Sequence, residues 1–291
     1  MTDLHAKTCV DTSCLLGEGP VWFEDALWWV DIEGKRLLRR GGNGDKPERF
    51  AVSERIGFAV PTGHGDWLLG LQSGIHSWTP GRGVPHLLAA PEADRAQNRF
   101  NDGKCDPQGR LWAGTLSMDG SPGEAALYRM DRRESVRKIL SGITLSNGLA
   151  WDSAGSTMYY IDTPTRVVSG FRFDPESGEI RDRRTVFEVP EGIGVPDGMT
   201  IDSEGTLWIA LWGGGSVLNV DPPSGTVLHT VRVPARNVTS CTFGGEDLET
   251  LFITSASIGL NDADRRAFPD SGKVFSLQPG ARGLPTVPFR G

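Results

Sequence analysis

The chain has 291 residues, enough to bury about three quarters of its unfolded surface in a core. Lys and Arg number 30 against 37 Asp and Glu, a net charge of -7 that argues against nucleic-acid or anionic-membrane partners, because both require a basic footprint. The 38 glycines are nearly twice the usual share of about 7%, and nine tryptophans accompany them, so short strands joined by tight turns are expected.

Met1 to Lys7 show no basic segment followed by an apolar run, so no signal peptide is expected, and no stretch approaches the ~20 apolar residues of a membrane span. Cys9, Cys14, Cys105 and Cys241 include no Cys-x-x-Cys pair and read as reduced thiols of a cytoplasmic protein. Residues 8–13 form a strand ahead of the first repeat, predicted to pair with the C-terminal unit and leave no open edge.

A unit of Asp or Gly, a turn and an apolar-aromatic strand then recurs at 24–31, 65–71, 106–114, 152–161, 202–210 and 246–253. Trp28, Trp67, Trp112, Tyr159, Trp208 and Phe252 mark it at intervals of 39, 45, 47, 49 and 44 residues. Propeller blades repeat at roughly 40–50 residues. Period-2 strands follow at 126–131, 168–174 and 216–221, and only 91–97 and 261–268 suit a helical turn or two. The predicted fold is all-β: a six-bladed β-propeller with a central channel, one domain over 1–291.

Polar residues share one phase of this repeat. Asn101, Asn147 and Asp197 each stand five residues before the repeat's Asp, and Glu18 takes the corresponding place in the first unit. Gly57-Phe58 and Ser240-Cys241 complete the phase in the second and sixth units. On an innermost strand these positions form a ring around the channel. Asn147-Gly148, Asp197-Gly198 and Asp102-Gly103 are equally good hairpin-turn dipeptides, so turn and site remain open alternatives here. A converging set of two carboxylates and two amide oxygens suits a hard divalent cation. Arg99, two residues before Asn101, either faces the channel mouth or is a solvated loop residue.

The chain resembles the gluconolactonase and regucalcin-like family of sugar-lactone hydrolases. The matching motifs are Leu16-Gly-Glu-Gly-Pro-Val-Trp22, Arg99-Phe-Asn-Asp-Gly-Lys104, Ser146-Asn-Gly-Leu-Ala-Trp151, Asp162-Thr-Pro-Thr165, Pro196-Asp-Gly-Met199 and Leu211-Trp-Gly-Gly214, in order along nearly the whole chain. The resemblance implies one divalent cation (Ca²⁺, Mn²⁺, Mg²⁺, Zn²⁺ or Fe²⁺) bound by Glu18, Asn147 and Asp197. It also implies substrate contacts from Arg99, Asn101 and Asp119, the last displaced two residues and standing where animal relatives carry glutamate. The expected activity is hydrolysis of a pentono- or hexono-lactone to the free acid by a cytoplasmic monomer whose partner is that small molecule. Asp197 is expected to be the general base, with Gly198 leaving room for substrate. A non-catalytic calcium-binding regulator and a promiscuous esterase are the competing expectations.

Overall fold

The recurrent unit folds as a strand-turn-strand because its side chains hold the turn. Asp106 is buried and accepts hydrogen bonds from the backbone N–H groups of Gln108 and Arg110 and from Trp112 Nε1 at 2.9 Å, while Gly109 takes the positive φ of +84°. Asp202 repeats the pattern with Glu204, Thr206 and Trp208 Nε1 (2.9 Å), and Gly205 adopts φ +85°. The Asp thus satisfies turn donors and locks the tryptophan six residues on, which explains why the spacing recurs.

The computed structural model describes residues 2–41 and 46–291. Two N-terminal strands, β1 (Thr2–His5) and β2 (Lys7–Val10), precede the blades. Blade I comprises β3 (Gly17–Phe23), β4 (Ala26–Asp31), β5 (Arg36–Gly41) and β6 (Glu48–Ala51). Blade II comprises β7 (Ile56–Pro61), β8 (Trp67–Leu71), β9 (Gly74–Thr79) and β10 (Arg82–Ala89). Blade III has β11 (Asn98–Cys105), β12 (Leu111–Ser117), β13 (Ala125–Arg132) and β14 (Ser135–Ile143). Blade IV has β15 (Ser146–Trp151), β16 (Thr157–Asp162), β17 (Val167–Phe173) and β18 (Ile180–Glu188). Blade V has β19 (Val195–Ile201), β20 (Leu207–Trp212), β21 (Ser216–Asp221) and β22 (Thr226–Arg232). Blade VI contains β23 (Asn237–Gly244), β24 (Thr250–Ala256) and β25 (Val274–Leu277), with β2 as its fourth strand.

The first strands β3, β7, β11, β15, β19 and β23 contact one another in a closed circle, and the last strands are the most exposed. This is the predicted six-bladed propeller. A short helix, α1 (Asp262–Ala267), is capped by Asn261, whose side chain accepts from Asp264 N; residues 91–97 form successive turns instead of a helix. No helix among the described residues is long and apolar enough to cross a membrane.

Closure follows the predicted route. β2 pairs antiparallel with β25 through Lys7↔Ser276, Thr8↔Phe275 and Val10↔Val274. β1, which no sequence pattern announced, pairs in parallel with β22 on the outer edge of blade V. The N-terminus therefore ties the fifth blade to the sixth, with Ala6 N donating to Arg232 O between the two pairings. Deleting residues 1–14 should lower Tm by about 4–12 °C. Burial of Val10 and Cys14 contributes about 2–3 kcal/mol, and each kcal/mol moves Tm by roughly 2–4 °C. An unchanged Tm would remove the closure argument.

Candidate functional site

Every first strand carries a register irregularity at the ring phase. The shifts fall between Glu18 and Val21, Ile56 and Phe58, Phe100 and Gly103, Asn147 and Leu149, Pro196 and Met199, and Val238 and Ser240. A bulge re-aims the side chains beside it. The Asn-Gly and Asp-Gly dipeptides thus lie inside strands, which settles the turn alternative against hairpins. Their glycines answer to blade packing: a Cβ on Gly198 would stand 2.2 Å from Ser240 Oγ, and one on Gly148 would stand 2.8 Å from Met199 Cγ. The expectation that Gly198 leaves room for substrate is corrected by this, because that space belongs to the next blade.

The ring residues are buried and joined. Glu18, Asp197 and Asn147 retain 8%, 6% and 3% of their surface, and Arg99 and Asn101 retain 8% each. Arg99 Nη1 donates to Asn101 Oδ1 (2.8 Å) and to Phe100 O (2.9 Å), so it is a channel residue and not a solvated loop arginine. Asn101 Nδ2 donates to Asn147 Oδ1 (3.1 Å) and Ser146 O (2.8 Å). Asn147 Nδ2 donates to Thr163 Oγ1 (2.8 Å), which donates to Pro196 O (2.8 Å), next to Asp197. One hydrogen-bonded chain therefore crosses blades III, IV and V. Glu18 faces it from blade I, its Oε2 accepting from Gly19 N at 2.9 Å.

Asp119 stands apart from this chain. It is exposed in the turn after β12, where its carboxylate accepts from Ser117 Oγ (2.7 Å) and Ser121 N (3.0 Å); the Ser117 bond is the main cause of its lowered pKa. Sequence reasoning missed Thr163 as the support of Asn147 and Ser146 as an acceptor for Asn101, although both lie in the quoted motifs Asp162-Thr-Pro-Thr165 and Ser146-Asn-Gly. It also missed Asp102, which alternates to the other side of the bulge. There, on the far side of the ring, a cavity of about 390 Å³ is lined by Asp102, Lys104, Trp151 and Cys241 and bounded by the C-terminal residues 284–288 and Arg290.

Burial governs the electrostatics. It pushes Glu18 up to about 8, with the Asp102 charge adding to the effect. Asp197 is held well above the usual carboxylate range by burial first, then by Glu18 and Asp102. Burial also lowers Arg99 to about 10. Among the described residues neither Glu18 nor Asp197 forms an ion pair with Lys or Arg, because the Arg99 fork is directed at Asn101. Buried carboxylates normally require a compensating charge. The described residues contain no cluster of three or more His, Cys, Asp or Glu side chains, so no nitrogen- or thiolate-rich metal site is on offer. Two carboxylates with an amide oxygen that keeps one free lone pair are hard donors, and they fit a divalent cation.

Fold and site together define a six-bladed β-propeller with an acidic, oxygen-rich centre in its channel. The chain belongs to the SMP-30/Gluconolactonase/LRE-like family, whose model matches residues 16–257. It is 38% identical over 283 residues to the Bacillus subtilis protein named "Putative sugar lactone lactonase YvrE", covering 97% of each chain. It is 36% identical over 299 residues to regucalcin of Danio rerio, covering 100% of both. Among solved structures, the calcium-binding protein regucalcin from Agrobacterium tumefaciens superposes with a TM-score of 0.94 at 27% identity, covering 100% of both chains.

Proposed function

We propose that this protein hydrolyses aldono-lactones of the pentono or hexono type to their free acids, as a cytoplasmic monomer, with one divalent cation held by Glu18, Asn147 and Asp197. The family and the lactonase relative support sugar-lactone hydrolysis in general. The observation that carries the finer reading is the pair of buried carboxylates that form no ion pair among the described residues, set beside the hydrogen-bonded Asn147, Asn101 and Arg99. The regucalcin relatives support a divalent metal. When bound, the cation supplies Lewis-acid polarisation of the lactone carbonyl.

The chain's own residues do the rest. Arg99 and Asn101 hold ring hydroxyls and fix the angle at which the carbonyl carbon is presented. Asp119 meets hydroxyls from the rim. Asp197 accepts a proton from water as the water oxygen bonds to that carbon, then returns it to the ring oxygen as the acyl C–O bond breaks.

The test is a panel of pentono- and hexono-lactones assayed after chelation and readdition of Ca²⁺, Mn²⁺, Mg²⁺, Zn²⁺ and Fe²⁺. Turnover should vanish with chelator and return with at least one metal. Protein that binds metal but opens no lactone above the spontaneous rate would instead support the second reading, a calcium-binding regulator, which the names of the regucalcin relatives favour.

A further inference from the structure

The ring phase leaves blade II without a polar contribution, since Ile56 and Phe58 there are buried in apolar clusters. Just ahead of that strand stands Arg55, outside the hydrogen-bonded ring. It lies on the same face as the site: first strands begin there and second strands end there, as the positions of Glu18, Asn101 and Met118 in the chain require.

Residues from three blades converge on its guanidinium. Glu33, in the blade I turn after β4, accepts from Arg55 Nε with both oxygens, at 2.8 and 3.1 Å. Gln72, after β8, places Oε1 3.4 Å from Nη1, and Met118, after β12 of blade III, places Sδ 3.8 Å from the same nitrogen. The backbone beneath is fixed by Gln72 N donating to Arg55 O at 3.0 Å. Among the described residues Nη2 makes no hydrogen bond within the protein, and the side chains of Arg55 and Glu33 keep 35% and 24% of their surface. Gln72 and Arg99 line one small pocket, and Met118 lies two residues past Leu116, the strand partner of Arg99, so the pair sits at the mouth of the channel near that guanidinium. A half-exposed ion pair adds little to stability. Its arrangement instead leaves donors and acceptors together at the entrance.

We infer that Glu33 and Arg55 form a neutral subsite at the channel mouth that takes the hydroxylated exocyclic arm of a six-carbon aldono-lactone. The inference rests on the lactone-hydrolase reading. A hydroxyl both donates and accepts, and here Nη2 offers the donor while Glu33 keeps acceptor lone pairs on each oxygen. An anionic arm fits less well, because Glu33 cancels the charge of Arg55 and would repel it. The Met118 side chain supplies an adaptable apolar wall for the arm's carbon atoms. Ring hydroxyls lie deeper, with Arg99 and Asn101.

The experiment compares a six-carbon 1,4-lactone carrying a dihydroxyethyl arm with a four-carbon lactone that has the same ring hydroxyls and no arm. Wild type, Arg55→Gln and Glu33→Gln are assayed with the activating metal. Loss of a hydrogen bond to a charged group corresponds to about ten- to a hundredfold. Both variants should lose that factor in kcat/KM for the armed lactone, chiefly through KM, and keep the wild-type value for the armless one. Should Arg55→Gln not fold, Arg55→Lys, which keeps the charge but loses the fork, should show the same selective loss. Equal losses on both lactones, or no loss on either, would overturn the subsite. A wild type that opens only the armed lactone supports it, provided the variants raise KM; an unchanged KM overturns it. Wild type that opens neither lactone refutes the hydrolase reading itself, a different failure.

Discussion

Asp197→Asn should bind its divalent cation measurably and yet lose about 10²–10⁴-fold in kcat, the usual cost of removing a general base. The substitution keeps one oxygen at the ring and the contact with the Asn147 side chain, but removes the basic group. Two carboxylates facing a dication neutralise its formal charge, so it acidifies water less than a zinc ion on three neutral histidines, where that pKa falls to about 7. A base beside the water is therefore required at neutral pH. Asp197 is buried in the ring and adjoins the hydrogen-bonded chain that fixes Asn147 and Asn101. Rates must be corrected for spontaneous lactone opening. Near-wild-type kcat in metal-loaded Asp197→Asn would move the base to Glu18 or elsewhere.

Glu18→Gln should lose cation affinity before it loses turnover at saturating metal, and it should change how stability depends on pH. In the cation-free protein Glu18 is raised from 4.5 to about 8 by burial, so the folded state binds its proton more tightly than the unfolded chain. That contribution to stability is fully present below about pH 4.5 and is lost as pH rises through about 8. A divalent cation offsets the loss, so its effect on Tm should be small at pH 5 and large at pH 8. A hundredfold excess over Kd adds about 2.7 kcal/mol, or about 5 °C or more in Tm. Cation-free Glu18→Gln should then be more stable at pH 8 than cation-free wild type, and less responsive to metal. Wild type whose Tm at pH 8 ignores both chelator and cation would sink the metal site.

These expectations began in the sequence, and the reason is periodicity. A radial repeat sends equal positions to equal places, so the intervals between Trp28, Trp67, Trp112, Tyr159, Trp208 and Phe252 called for six blades, and the phase of Glu18, Asn101, Asn147 and Asp197 allowed either a ring or a set of turns. The recurring Asp before the tryptophan is itself local chemistry, since Asp106 and Asp202 bond their own turns and the indole six residues on. Closure by residues 8–13 was legible because an unpaired edge in the last blade needs a strand.

Tertiary structure decided what depends on neighbours distant in the chain. Whether Asn147-Gly148 and Asp197-Gly198 turn or bulge depends on the approach of the next blade, which no dipeptide encodes. The burial of Arg99, and with it the absence of a direct ion pair for Glu18 and Asp197 among the described residues, depends on how the blades pack once the circle closes. The pairing of β1 with blade V, the meeting of Glu33 with Arg55 from different blades, and the place of Asp119 outside the hydrogen-bonded chain arise the same way. The sequence by itself determined the repeat, its phase and the residue types on it. Packing of blade against blade determined which of those side chains meet, and how little water reaches them.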